Sequence, residues 1–477
     1  MLDKELERLA GSDRYPFHMP GHKRREIPCD NPYHIDITEI PGFDNLHQPQ
    51  GLILEAMERL QKVYGAQKSY LLVNGTTGGN LAAVFAATDQ KGPIIMGRNC
   101  HKSIYHAVEL RESSVCYTFP ETDDAGIVRG TPLAEYERAM RECPKAQAIV
   151  VTSPTYEGVI EPLDEIVGLA HSRGIPVIVD AAHGAHLGFH PYFPKSPLES
   201  GADIVVMSLH KTLPALTQTS VLHINQGSLI APKKIEKYLG IFQTSSPSYV
   251  LMASICQCIR FLEEAPEQFA SYASLLQDFY QKSGQLSHLK VSLPQPMQDP
   301  SKIVIHGGAT GLCGYEIAEI LGQEYAIDLE MSSFSYALAM SSVMDTAEGL
   351  TRLYQALWEM DHRFGGPEVI DAKQGQIQAD GGFAQGGRDL YGGGEKVMEL
   401  YEAAAKETET VVYAQAVGRV AAEAVAIYPP GVPLLVPGEK IEARQLVWLQ
   451  QAQQQGLTIT GLVKDGEENA PALSVVI

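Results

Sequence analysis

A chain of 477 residues, 44% hydrophobic and 20% charged, has the material for two or three domains and a large buried core. Its 57 acidic and 37 basic side chains leave a formal charge of −20, which argues against nucleic acid or an anionic membrane and suits a cationic small molecule. The seven cysteines are scattered and in no zinc spacing, so free thiols in a reducing compartment are expected. With no apolar leader and no apolar run near ~18 residues, the expected location is the cytoplasm, away from membranes.

Residues 1–50, rich in Pro, His and Gly, show neither helical nor strand period and are expected to form an extended N-terminal arm. Helical patterning begins at Leu52 and closes at Gly65. Apolar runs then recur at "YLLV", "PIIM", "AIVVTS", "PVIVD", "DIVVMS" and "SVLHI", with amphipathic helical segments between most of them. Uninterrupted strands alternating with helices predict a mostly parallel sheet covered on both faces, within a large domain over 51–285. A smaller α/β domain is expected at 286–370, a Gly-rich linker at 371–395, and a C-terminal domain at 396–477 carrying the Pro-rich "IYPPGVPLLVPGE".

In open parallel sheets the ligand site lies at the carboxyl ends of the strands, and four such loops here carry complementary polar residues. "LLVNGTTGGN" sets Thr76 and Thr77 at a helix start, where amide N–H groups and the dipole attract a phosphate. "GRNCHKS" presents His101 just before a helix, where a capping role competes with a functional one. "VIVDAAHGAH" ends a buried strand in Asp180, followed by His183 and His186; the spacing matches no metal motif, so no metal is expected. "DIVVMSLHKT" runs a core strand directly into Ser208, His210 and Lys211. A lysine there is costly unless paired or neutralised.

Phosphate donors, a buried carboxylate, an imidazole and a lysine are together what pyridoxal phosphate requires. The lysine holds the aldehyde, helped by a pKa lowered through desolvation, and the aspartate accepts the pyridine N–H. Asp180 precedes Lys211 by about one strand–helix–strand unit, which places the two on neighbouring loops.

"FHMPGHK" (17–23), "NCHKS" (99–103), "VDAAHGAH", "SLHKTLPALTQTS" and "YPPGVPLLVPGE", in this order, resemble the ornithine/lysine/arginine decarboxylases over nearly the whole chain. The resemblance is to the short bacterial form without an N-terminal wing domain. It implies a fold-type I, aspartate aminotransferase-like α/β large domain and a pyridoxal-phosphate-dependent α-decarboxylase of a basic amino acid. Carried onto this chain, it makes Lys211 the Schiff-base lysine, Asp180 the pyridine-nitrogen partner and His101 the imidazole stacked on the cofactor. Thr76, Thr77, Ser208 and His210 would surround the phosphate, with His183 nearby, and Lys211 or His210 would return a proton to Cα.

The family shares its active sites across a homodimer, so Thr244, Ser245 and Ser246 in "QTSSPSY" are expected to reach a partner's phosphate. A helix N-cap before "YVLMASI" is the competing reading of those three. The substrate's distal cation needs an acid; Glu423, Glu439 and Asp44 are the candidates, Glu423 foremost, with a solvated helix carboxylate as its alternative. Two departures from close relatives stand out: Ala181 where Glu is common, and Gly78-Gly79 where bulkier residues are frequent. Arginine, converted to agmatine for polyamine biosynthesis, is the favoured substrate and lysine or ornithine the alternative. Aminotransferases and lyases share the fold, and a keto acid product would mark them; a non-catalytic cofactor-binding protein would lack the absorbance of the bound aldehyde.

Overall fold

Seven short strands between Lys68 and Ile224 build one sheet: β1 (Lys68–Leu72), β2 (Ile94–Gly97), β3 (Val115–Thr118), β4 (Ile149–Thr152), β5 (Val177–Asp180), β6 (Ile204–Ser208) and β7 (Ser220–Ile224). The computed structural model describes residues 2–25, 31–123, 126–264, 266–365, 391–428, 431–454, 457–465 and 470–477. Of the expected Gly-rich linker, 371–390 lie outside the described residues.

Across the sheet the order is β1-β7-β6-β5-β4-β2-β3. Every pair from β6 to β3 is parallel, while β7 runs antiparallel to both β6 and β1. β1 through β6 therefore point the same way and deliver their carboxyl-end loops to one edge. Their Val/Ile/Leu runs are buried without alternation because helices cover both faces.

Helix Gly75–Ala87 lies close on this sheet. A Cβ on Gly79 would come within 2.5 Å of Val206 Cγ1 and 2.6 Å of Leu72 Cδ1, so this departure from relatives serves a tight helix–sheet approach. Ala181, the other departure, is wholly buried in the main core, and its N–H donates to Val206 O at 2.9 Å.

β3 is the outer strand, and three of its outward backbone groups are taken up by side chains. Val115 N–H donates to Glu399 Oε2 at 3.1 Å, and Val115 O accepts from Lys396 Nζ at 2.7 Å. Tyr117 O accepts from Arg138 at 2.7 Å.

The N-terminal segment differs from the extended arm expected. Leu2–Ala10 is a helix that leaves Leu2, Leu6 and Leu9 exposed along one side. Beyond it, the backbone does find partners on other elements. Tyr15–Phe17 pairs in parallel with Ile327–Leu329, and Gly21 N–H donates to His210 O at 2.7 Å. A Cβ on Gly21 would sit 2.8 Å from the backbone of Thr212 and Leu213, so only glycine lets the strap lie this close. Lys23 is buried, donating to Met340 O at 2.6 Å and His18 O at 3.1 Å with Asp345 at 3.9 Å.

Helices Tyr249–Glu264 and Pro266–Ser283 lead to the smaller unit. Its antiparallel sheet has the order Lys290–Val291, Lys302–His306, Ala337–Met340, Met331–Ser332, and helices Gly314–Glu324 and Ala347–Phe364 accompany it. The C-terminal unit has its own core around Leu434, Trp448, Leu449 and Leu473, two three-stranded sheets and helix Ala443–Gln454.

Candidate active site

The carboxyl-end loops of the sheet enclose a cavity of about 420 Å³. Lys211 reaches it from the one-turn helix Leu209–Thr212 that follows β6. Burial lowers its pKa from the ordinary lysine value, and the opposing pull of Asp180 and Glu330 is smaller. Its Nζ lies 3.0 Å from His183 Nε2. Burial first, then Lys211, holds His183 well below the usual imidazole range, so the ring stands neutral beside the amine.

Asp180, 2% exposed, closes β5. Its Oδ2 accepts from Asn80 Nδ2 at 2.8 Å, and its Oδ1 accepts the Ala182 N–H at 3.1 Å. Asn80 also donates to Ser103 Oγ at 3.0 Å, so one amide fixes both the carboxylate and the start of the neighbouring helix.

His101 caps that helix, Lys102–Arg111, accepting the Ser103 N–H on Nδ1 at 3.2 Å; the capping alternative therefore holds, and the imidazole still lines the cavity. Burial pushes it down to about 4 against the weaker pull of Asp180. His210 is likewise down to about 4 through burial, and its Nδ1 bonds Thr219 O at 2.9 Å. Because that carbonyl accepts a hydrogen bond from Nδ1–H, Nε2 is left as a neutral acceptor.

Thr76 Oγ1 lies 2.6 Å from Ser208 Oγ and 3.2 Å from Ser220 Oγ, a hydroxyl cluster under the first turn of helix Gly75–Ala87. The helix's Asn74 makes no side-chain cap, and Gly75, Thr76 and Thr77 line the cavity. An uncapped helix start is an anion site in waiting.

These residues fit pyridoxal phosphate. A desolvated amine, a carboxylate fixed by N–H donors, a neutral imidazole and an uncapped helix start share one cavity. His183 Nδ1, in the cavity wall, is also buried without a hydrogen-bond partner. Orphans of this kind beside an amine and a carboxylate are what a polar guest satisfies. Among the described residues no cluster of three metal-ligating side chains occurs, and no helix is long and apolar enough to cross a membrane.

Several expected residues stand elsewhere. Glu439 is a correction: it pairs with Arg98 at 3.1 and 3.0 Å, the two side chains 4% and 1% exposed, so its charge ties the C-terminal unit to the sheet. Asp44 is another. Its carboxylate accepts the N–H groups of Asn45, Gln50, Gly51 and Ile53 at 2.8–3.0 Å. Against a desolvation penalty, those donors hold it at about 2, closing the turn into helix Leu52–Tyr64. Glu423 is exposed and does not line the cavity. Thr244, Ser245 and Ser246 are exposed and likewise outside it. The cap before Tyr249 comes from Ser248, whose Oγ accepts the Leu251 N–H at 3.3 Å, and not from those three.

The structure adds residues that sequence reasoning missed: Asn80, and on the loop after β4, Thr155, Tyr156 and Glu157. The signal was available, since "AIVVTSPTYEG" is a fifth strand with a polar carboxyl-end loop. Tyr156 packs its ring 4.8 Å from that of His183, and its hydroxyl contacts Glu330. Val432, from the C-terminal Pro-rich motif, and Met19 and Pro20, from the N-terminal strap, complete the wall.

Comparison with known proteins agrees with this geometry. Residues 2–271 match the Orn/Lys/Arg decarboxylase major domain, and residues 396–466 match the C-terminal domain of the same family. An uncharacterised Bacillus subtilis (strain 168) protein is 34% identical, over 92% of this chain and 91% of its own. The arginine decarboxylase of the same organism is 31% identical, over 96% and 94%. In fold, the lysine decarboxylase of Francisella novicida superposes with a TM-score of 0.82 at 20% identity, covering 100% of this chain and 81% of that one. The chain belongs to the Orn/Lys/Arg decarboxylase family, as a pyridoxal-phosphate-dependent amino acid decarboxylase of fold type I.

Proposed function

We propose that the protein removes the α-carboxylate of a basic amino acid, L-arginine before lysine or ornithine, and so feeds polyamine synthesis. The observation that carries the reading is the convergence of the Lys211 amine and the Asp180 carboxylate on one cavity. The choice of arginine is supported by relatives named arginine decarboxylase at 30–31% identity over at least 90% of the chain.

Lys211 is the residue that holds the cofactor aldehyde, its low pKa keeping a free amine available. Asp180 accepts the pyridine N–H, and Asn80 keeps its carboxylate in place. His101 flanks the ring. Thr76, Thr77, Ser208 and the helix start receive the phosphate, with His183 and His210 bordering the site. When bound, the cofactor supplies an electron sink for the pair left behind as CO2 departs. Of the two candidate proton donors Lys211 is the better, because His210 presents an unprotonated, weakly basic imidazole nitrogen that has no proton to give.

The working form in this reading is a cytoplasmic homodimer with shared sites. Thr244 and Ser245 are exposed hydroxyls free to face a second copy, and Ile40, Phe43, Leu52 and Ile241 are exposed apolar side chains of the kind a partner covers.

Incubation of the loaded enzyme with arginine, lysine and ornithine in parallel tests the proposal. Equimolar CO2 and amine, fastest from arginine, are expected; a keto acid without CO2 would overturn it.

A further inference from the structure

We infer that Glu157 receives the distal cation of the substrate. The inference rests on the basic amino acid reading above and deepens it by naming the residue that selects the charge.

Glu157 lines the same cavity as Lys211 and Asp180 and is 3% exposed. Two hydroxyls meet its oxygens, Tyr336 O–H donating to Oε1 at 2.8 Å and Thr155 Oγ1–H to Oε2 at 3.2 Å, and its own backbone N–H adds a hydrogen bond. Among the described residues no lysine, arginine or histidine forms an ion pair with it. Several other deeply buried acids do have a cation. Asp299 has Lys302 at 2.9 Å and His186 at 3.0 Å, Glu439 has Arg98, and Asp345 has Lys23. Glu161, Asp361 and Asp180 also lack an ion pair among the described residues, but N–H donors of other residues hold each: Thr131 on Glu161, Ser287, His288 and Leu289 on Asp361, and Asn80 and Ala182 on Asp180.

A buried carboxylate without a counter-charge is costly, and burial accordingly raises the Glu157 pKa. In the wall of a substrate cavity the missing cation is one the ligand brings. The carboxylate's four acceptor sites are not filled by these three donors, so a cation can still donate to it. The rings of Tyr156 and Tyr391 border the same cavity and offer aromatic faces to a cation. The three acids expected from sequence are engaged elsewhere or lie outside the cavity, which leaves Glu157 as the acid at hand.

Glu157→Gln tests the assignment, because the amide oxygen preserves an acceptor while the charge is lost. L-citrulline, the neutral isostere of arginine, is the control substrate. In the variant, KM for arginine is expected to rise about 10²-fold while kcat falls by less than about fivefold. The preference for arginine over citrulline in kcat/KM should collapse by a similar factor, with the absorbance of bound cofactor unchanged. Agmatine binding to the holoenzyme, read by calorimetry, should weaken in parallel. If Gln prevents cofactor retention, Glu157→Asp replaces it: charge is kept but withdrawn by one methylene, and the arginine KM should rise with no gain for citrulline. An arginine KM within about threefold of wild type and an unchanged arginine-to-citrulline ratio in the variant would overturn the assignment. Wild-type enzyme that releases no CO2 from any basic amino acid would instead overturn the reading beneath it.

Discussion

Lys211 Nζ and His183 Nε2 meet at 3.0 Å, two buried bases sharing one proton-bearing amine. Both pKa values are pushed down by burial, so the pair stands ready to offer a free amine without expelling a charge. Lys211→Ala is expected to abolish turnover, a loss beyond the ~10²–10⁴-fold typical of general acid–base groups. Cofactor should remain only loosely bound, which absorbance after gel filtration will read. Substantial residual CO2 release would count against the assigned role.

The Asn80–Asp180 bond of 2.8 Å positions the carboxylate without entering the chemistry. Asn80→Ala removes a hydrogen bond to a charged group, a cost of about 1.5–3 kcal/mol that should appear as a tenfold or greater rise in the cofactor dissociation constant. Asp180→Ala should be more severe and impair kcat itself. Cofactor titration followed by single-turnover kinetics separates the two.

Arg98 and Glu439 form a bidentate pair out of reach of water. Removing one partner strands a buried charge, so Arg98→Ala or Glu439→Ala should lower stability by about 3–5 kcal/mol, read by urea titration. The double replacement Arg98→Met with Glu439→Leu should recover most of that loss. If the single variants are neutral, the pair is not what docks the C-terminal unit.

Stability should also vary with pH in a way that separates the buried histidines from one buried acid. His101 and His210 drop from 6.5 to about 4 on folding, through burial. Below pH 6.5 the unfolded chain takes up protons that the folded chain refuses, so stability is complete above 6.5 and is lost as pH falls toward 4. The loss is on the order of 3 kcal/mol for each imidazole. Glu161, raised by burial from 4.5 to about 7, acts with the opposite sign and withdraws stability as pH rises through that window. Glu161→Gln removes that opposing slope, so the fall in melting temperature from pH 6.5 toward 4.5 should steepen and the decline between pH 6.5 and 7 should vanish, a comparison scanning calorimetry makes directly.

Six of the seven sheet strands were legible in the sequence because their apolar runs are uninterrupted. β3, Val-Cys-Tyr-Thr, was not: it is four residues long, and Cys116 on it is only half-buried. The helix Leu2–Ala10 was hidden by its charges, since only Leu2, Leu6 and Leu9 keep its period. At the site, Lys211, Asp180, His101 and Thr76 stood out because each ends or follows an apolar run. Glu157 did not, because "PTYEGV" reads as an ordinary turn and only tertiary folding brings Tyr336 against it. Acid candidates chosen for their nearness to motifs failed for a related reason: proximity along the chain says nothing about which charges already have partners.

The side chains that answer the outward backbone of β3 have a consequence for handling the protein. An unprotected outer strand recruits strands from other molecules, and here two of its groups are held by Lys396 and Glu399. Severing the chain ahead of residue 396 would bare that ladder, and the shortened product should precipitate or polymerise at concentrations where the whole protein stays dispersed.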